Sequence, residues 1–293
     1  MNNRQASATA LLIAASLVSM DRNPVYAGTI SSGSAELAAR VLKNYSPASR
    51  YLVKLLRRSW FWQVAAFCER LTVPGILRHY ALRKKCIAQL AYEAAAEGMS
   101  QIVVLGAGFD ALAIELRRKF ADLEVWEIDH PATQRWKASV VNSAEADGIH
   151  FVPADLSLTG VNEESLRLAG FDPKQKTLWI AEGLMMYFSE QTVARMLEQT
   201  RKLSVPCGGF VFTFMERDAK GRIRFREQTK LVDWWLRRCK EPFRWGIETD
   251  NLAKFISPWR VVRIYDDDDL RIIDSANGNK TLASGELICL AES

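Results

Sequence analysis

Histidine is scarce in this chain and cysteine follows no pattern. Three histidines (His79, His130, His150) in 293 residues, with no H-E-x-x-H or similar spacing, leave a histidine-based metal centre without its donors. The five cysteines (Cys68, Cys86, Cys207, Cys239, Cys289) are odd in number, scattered and never arranged as C-x-x-C, which argues against both a disulfide framework and a zinc site. Reduced, buried thiols and no bound metal are expected. Also missing is any uninterrupted apolar run of about 18 residues, so no stable membrane insertion is expected and the chain is assigned to the cytoplasm. There is no internal repeat, no low-complexity tract, and no basic stripe with stacking aromatics to mark a nucleic-acid surface. The net charge of +5 is too mild to name an anionic partner. What is present is ordinary for a globular protein, 48% hydrophobic and 25% charged, which excludes disordered and fibrous classes.

The chain divides near Met99 into a helical, basic first third (residues 1–98), read as a cap, and a βα-patterned core (residues 99–293). Ala8 to Val18 follows a lone Arg4 and precedes Val25-Tyr26-Ala27, superficially like a secretion leader. Ser7, Thr9 and Ser16 interrupt it, however, and a helix packed on the domain accounts for it. From Ser34 to Ala95 the pattern is helical, with breaks at Ser46-Pro47 and Val73-Pro74-Gly75. Tyr51 to Phe67 mixes Lys54, Arg57 and Arg58 with Trp60, Phe61 and Trp62, as a membrane-surface helix or a lid would. A helix packed by its aromatic side is the expectation, because such stripes usually face a core.

After Met99 short apolar runs alternate with helical stretches, the order of an α/β fold whose mostly parallel sheet is covered on both faces. Strands are expected at 101–105, 124–128, 150–152, 177–181 and 209–215. A helix at 251–256 and strands at 260–265 and 286–291 should follow. Only turn-rich sequence separates the last two strands, which suggests an antiparallel hairpin at the edge of the sheet.

The sharpest motif is Val103-Val104-Leu105-Gly106-Ala107-Gly108-Phe109-Asp110-Ala111, an apolar strand running into glycines and then a helix. Gly106 and Gly108 allow a tight turn and close approach of the backbone to a ligand, but G-x-G-x-x-A is equally a dinucleotide fingerprint or a plain strand-to-helix turn. About twenty residues on, Glu127-Ile128-Asp129 closes the second strand. A carboxylate there suits both hydroxyls of a ribose, and Asp129, at the strand end, is the favoured one. Asp155, followed by Leu156, is placed either to accept from an adenine amino group, with Leu156 on the ring face, or to cap a helix. Glu182 closes an apolar strand at the edge where α/β sheets bind ligands. So placed it requires a cationic partner, either a ligand ammonium or an arginine.

Together, LGAGFD, EIDHP with the following Lys137, ADL and AEGLMMYF resemble the leucine carboxyl methyltransferase family, including its bacterial branch associated with polyketide O-methylation. The resemblance is strongest over residues 99–190. Arg78-His79-Tyr80-Ala81-Leu82-Arg83 is similar to the family's arginine-bearing helix, and Thr9-Ala10-Leu11-Leu12 to its N-terminal element. The resemblance implies a Rossmann-like class I methyltransferase with a seven-stranded sheet and an N-terminal helical cap, using S-adenosyl-L-methionine. It implies that Arg83 binds the methionine carboxylate, Gly106 lies against the cofactor, Asp129 holds the ribose, Asp155 and Leu156 the adenine end, and Glu182 the methionine portion. Gly108 and Asp110 belong to the same expected cofactor site. Ala111 stands where the family often has threonine, and residues 27–77 match only loosely, so the acceptor is less defined than the cofactor.

Methyl transfer is an in-line displacement that depends on alignment. A carboxylate acceptor on a small molecule needs no general base. A hydroxyl acceptor needs one, and the candidates are Tyr187, Glu182 and Asp110. The basic run Lys220, Arg222, Arg224, Arg226 is either a clamp for an anionic acceptor or a solvated loop. The rival readings are an NAD-dependent oxidoreductase, resting on G-x-G-x-x-A, and an RNA-modifying or non-catalytic relative.

Overall fold

The computed structural model describes residues 7–21, 23–26, 28–58, 60–204, 207–274 and 280–293; Arg4 and Ala27 lie outside them. Five helices come first: α1 (Ala8–Met20), α2 (Ser32–Tyr45), α3 (Pro47–Leu56), α4 (Phe61–Thr72) and α5 (Ile76–Ala96). The alternating part runs β1 (Gln101–Leu105), α6 (Leu112–Lys119), β2 (Glu124–Asp129), α7 (Pro131–Ala138), β3 (Ile149–Pro153), α8 (Glu163–Leu168), β4 (Thr177–Ala181), α9 (Glu190–Lys202) and β5 (Gly208–Met215). It ends with α10 (Lys230–Arg238), α11 (Thr249–Ile256), β6 (Arg260–Tyr265), α12 (Asp267–Ile273) and β7 (Glu286–Glu292).

The strands form one seven-stranded sheet in the order β3-β2-β1-β4-β5-β7-β6. The first five are parallel, and β7 runs antiparallel between β5 and β6. Alternation along each strand divides the apolar side chains between two cores. Ile102 and Val104 of β1 join Val125, Leu178, Ile180 and Val211 beneath helices of the first third. Val103 and Leu105 point the other way, with Trp126, Trp179, Phe210 and Phe212, toward α9 and α11. Period-two alternation with both faces apolar gives the near-continuous hydrophobic strands of a parallel sheet buried on both sides. The α/β class and the covered sheet are as expected.

Three local expectations are corrected. The last two strands are not a simple hairpin: α12 lies between them, and β7 pairs with β5 as well as β6. Asp266 starts that helix by accepting from the main-chain N–H of Asp268 and Asp269, while Asp269 returns to the Asp266 N–H in a capping box. Acid at a helix N-terminus also complements the helix dipole. Second, residues 51–67 are not one helix, and their aromatics divide: Phe61 packs against the first core, whereas Trp60 and Phe67 are exposed. The chain breaks between α3 and α4, and no residue of α4 is buried. Third, the thiols are free but not uniformly buried: Cys86 and Cys289 are, whereas Cys68 and Cys207 are exposed. The apolar N-terminal segment is α1, capped by Ser7, and it buries Ala14, Leu17, Val18 and Met20 in the core shared with the sheet.

Candidate functional site

Strand order reverses between β1 and β4, since β2 and β3 extend to one side and β5 to the other. The crevice outside the carboxyl ends of strands at such a point is where open α/β sheets bind ligands. Gly106 leaves β1 at φ +68°, a left-handed conformation that favours glycine, and a Cβ there would sit 2.6 Å from Leu184 Cδ1 and displace that side chain. Gly108, at φ +52°, turns its N–H onto the Asp129 carboxylate. The other Asp129 oxygen accepts from the His130 N–H. Burial raises the Asp129 carboxyl above its ordinary range, against the pull of those two N–H groups. Glu127, two residues earlier, is taken by Lys137 at 2.6 Å in a fully buried pair, which leaves Asp129 as the acid at the strand tip.

From there an ordered row of charges crosses the edge of the sheet. Arg83 on α5 donates from Nε and Nη2 to Glu182 Oε1 at 3.0 and 2.8 Å, and from Nη1 to Glu286 Oε2 at 2.7 Å. Lys84 Nζ lies 2.5 Å from Asp110 Oδ2 and 3.2 Å from Glu182 Oε1. His79 closes the far end, with Nε2 3.0 Å from Glu286 Oε2. The partner Glu182 requires is thus Arg83, helped by Lys84. Two expected cofactor residues, Arg83 and Glu182, hold each other across 99 positions of sequence. At Arg83, Lys84, Asp110 and Glu286 burial opposes the charge, and the pairing overrides it. Arg83 is held protonated beyond its usual range by Glu286 and Glu182, and Lys84 is raised by Asp110 and Glu182. Asp110 is lowered mainly by Lys84. Glu286 is brought down to about 2 against its burial, chiefly by Arg83.

Asp155 accepts from the Ser157 N–H at 3.0 Å, so one oxygen caps the turn that follows β3, and its other oxygen lies 3.9 Å from His130 Nε2. Leu156 is 4% exposed, with its side chain in the second core rather than on an open ring-binding face. Tyr187 sits on a 3-10 turn after β4 and packs on Phe243 with ring centroids 5.6 Å apart. Burial drives its phenol far above the ordinary range, which removes it as a general base near neutrality. Three arginines of the basic run after β5 have acidic partners nearby: Arg222 on Asp218 at 2.7 Å, Arg226 on Glu216 at 2.5 Å, and Arg224 3.8 Å from Asp233 of α10. It forms no clamp.

Sequence reasoning missed Glu286, His79 and Lys84. An acid at the end of the apolar strand ELICLAE was the available sign for Glu286, the same sign that flagged Glu182. It also missed the anchor of α1, where Thr9 donates to Glu241 from both N–H (3.0 Å) and hydroxyl (2.5 Å). Beside the charged row opens a cavity of about 490 Å³, bounded by the loop at residues 28–31, by α5 through Lys84, Ala88 and Tyr92, and by Asp110 and Glu182.

Comparison with known proteins agrees with this architecture. A candidate S-adenosyl-L-methionine-dependent methyltransferase of Mycobacterium avium is 32% identical over 145 residues, covering 49% of this chain and 47% of that protein. A relative of the same description from Mycobacterium tuberculosis is 34% identical over 128 residues, covering 43% of this chain and 41% of its own length. The chain therefore matches about half the length of these curated relatives. Among solved structures, a candidate methyltransferase of Thermobifida fusca superposes with a TM-score of 0.58 at 14% identity, over 86% of this chain and 93% of the other, a likeness of fold. The model of the leucine carboxyl methyltransferase family matches residues 44–201, more than half of the chain and nearly every residue of the charged row, and this chain belongs to that family.

Proposed function

We propose that this chain is an S-adenosyl-L-methionine-dependent O-methyltransferase that methylates a carboxylate on a small molecule, of which a polyketide-type acid is the model case. The alternating row Arg83, Glu182, Lys84, Asp110 carries the reading. An amino-acid end bears one ammonium and one carboxylate, and such a row accepts both by exchanging internal partners. Arg83 and Lys84 take the carboxylate; Asp110 and Glu182 take the ammonium. An ionised carboxylate offers about four acceptor positions, so Asp129, with two given to backbone N–H groups, retains capacity for two ribose hydroxyls. Gly106 and Gly108 let the main chain lie against the nucleoside, and the turn at Asp155 and Leu156 borders its adenine end. The names of the relatives point to the same cofactor.

When bound, S-adenosyl-L-methionine supplies an electrophilic methyl group on a positively charged sulfur. The chain's part is to hold the acceptor oxygen in line, and alignment of this kind is worth several kcal/mol. A carboxylate suits what the site offers. The Tyr187 phenol is raised by burial and so offers no phenolate near neutrality, while Asp110 and Glu182 are committed to cations. An acceptor already ionised near neutral pH needs no base from the protein. In this reading residues 1–98 cap the site over the core at 99–293. The nicotinamide alternative rests on G-x-G-x-x-A and leaves the charged row and the antiparallel β7 without a purpose.

Calorimetry with S-adenosylhomocysteine and with NAD tests the cofactor: uptake of the first alone is expected, and uptake of NAD alone overturns the reading. Incubating a metabolite extract with the chain and deuteromethyl-labelled cofactor then tests the acceptor by mass spectrometry. A labelled product lost to mild alkali is an ester, as expected; a base-stable label overturns carboxylate methylation.

A further inference from the structure

The helix α4 is amphipathic in the reverse sense. Trp60, Val64, Phe67 and Leu71 recur at spacings of four, three and four, one face of a helix, and that face is the solvent side: they are 52%, 40%, 62% and 53% exposed. The single acid of the helix, Glu69, points inward, where its carboxylate accepts from the Leu77 N–H at 2.9 Å. The outer face of α10 repeats the arrangement. Trp234 and Leu231 are 57% and 54% exposed, with the exposed bases Lys230, Arg237 and Arg238 around them, while Leu236 faces the core. Its single acid, Asp233, is also turned aside, bonding to Gln228. The two helices abut end to end: Thr229, at the start of α10, donates from its N–H to Thr72 O at 3.0 Å and from its hydroxyl to Leu71 O at 3.1 Å. Arg57, Arg58 and Arg70 flank the α4 stripe, all exposed.

We infer that the outer faces of α4 and α10 form a docking surface for an anionic phospholipid membrane, on which the chain sits peripherally. Large aromatic and aliphatic side chains beside exposed cations that form no ion pair among the described residues, with Glu69 bonded to the main chain and Asp233 to Gln228, match the two components of such a surface: an acyl boundary for Trp60, Phe67 and Trp234, and phosphate headgroups for the bases. A folding core would require the opposite orientation of α4. A second copy of this chain meets the same basic rim with its own and is repelled; an anionic bilayer is attracted. No helix among the described residues is long and apolar enough to cross a membrane, so the association lies in the interface plane. The inner sides of the two helices, through Val73 just after α4 and Val232, pack in the same cluster as Tyr80 and Tyr187, which brings a membrane-docked face close to the site.

Flotation of the full chain with vesicles tests this. Vesicles of equal parts phosphatidylglycerol and phosphatidylcholine should carry the chain, about tenfold more strongly than phosphatidylcholine alone, with binding weakened by added salt. The combined Trp60→Ser, Phe67→Ser, Trp234→Ser variant should stay folded by circular dichroism and fall to background. Lys230→Glu, Arg237→Glu and Arg238→Glu together should remove the preference for phosphatidylglycerol. Brominated lipid should quench the tryptophan fluorescence of the unaltered chain, a readout that does not depend on any variant folding. Failure to float with anionic vesicles at low salt, or absence of quenching, overturns the inference. So does equal flotation of a folded triple-serine variant, or a concentration-dependent dimer that this variant dissolves.

Discussion

Charge and apolar surface trade places between the carboxyl edge of the sheet and the outer faces of α4 and α10. At the sheet edge six charged or ionisable groups, from His79 to Asp110, are packed together with Arg83 and Glu286 almost fully buried. On the two helices, tryptophan and phenylalanine face solvent. Both arrangements oppose the ordinary partition of residues, and they differ in what compensates. Buried charges are tolerated because each has a partner within hydrogen-bonding distance, and removing one member strands the other. The exposed aromatics keep more than half of their surface open to solvent, and the ring contact of Trp60 is with its neighbour Phe61, so little folding stability rests on them. One region is fixed by its own contacts; the other is shaped for something outside the fold.

The largest expected effect breaks the first region. Glu286→Gln leaves the buried Arg83 with a single anionic partner and should cost about 3 kcal/mol or more in urea unfolding. The same variant has a pH signature. The Glu286 carboxyl lies at about 2 in the folded chain, below its unfolded value, so its stabilisation is complete above the unfolded value and is lost as pH falls toward 2. Acid unfolding curves of the parent chain should show that loss, and those of the variant should lack it. Gly106→Ala comes next, at about 2 kcal/mol, from a left-handed backbone and the contact with Leu184. Adding Leu184→Ala should relieve the steric part and leave the backbone part, which thermal unfolding of the pair resolves.

Smaller effects sharpen the second region. Burial raises the Glu69 carboxyl, so stability should fall as pH rises from its unfolded value through the raised folded one. Glu69→Gln keeps an acceptor for the Leu77 N–H and should flatten that slope, an effect smaller than that of Gly106→Ala. Phe67→Gln and Trp234→Gln should each change unfolding free energy by about 0.5 kcal/mol or less, as substitutions at exposed positions do. A cost of several kcal/mol at either position in chemical denaturation would mean that the helix faces are core after all, and the contrast between the two regions would vanish.

The sheet was legible because its signal is local. Most of the strands are apolar runs bounded by turn residues, and the observed limits lie within one residue of the reading, as at 101–105, 177–181 and 260–265. Gly106 and Asp129 were legible for a related reason, since each terminates a strand. The small helix α12 was readable but overlooked: Asp266 and Asp269 have the spacing of a capping box, hidden in a run of four aspartates. The orientation of α4 was not readable. Its stripe of Trp60, Val64, Phe67 and Leu71 gives a helix and one apolar face, but periodicity says nothing about which way that face is turned.

The sequence by itself determined the strands, their two-sided burial, the glycine turn and the acids at the strand ends, because these depend on residues a few positions apart. Only the tertiary structure decided that Arg83 holds Glu182 and Glu286, that Lys137 takes Glu127 and leaves Asp129 at the tip, and that α4 turns Val64, Phe67 and Leu71 outward. Those outcomes depend on which distant segments reach the same few ångströms, and on the high cost of leaving a charge unpaired inside compared with an aromatic ring outside.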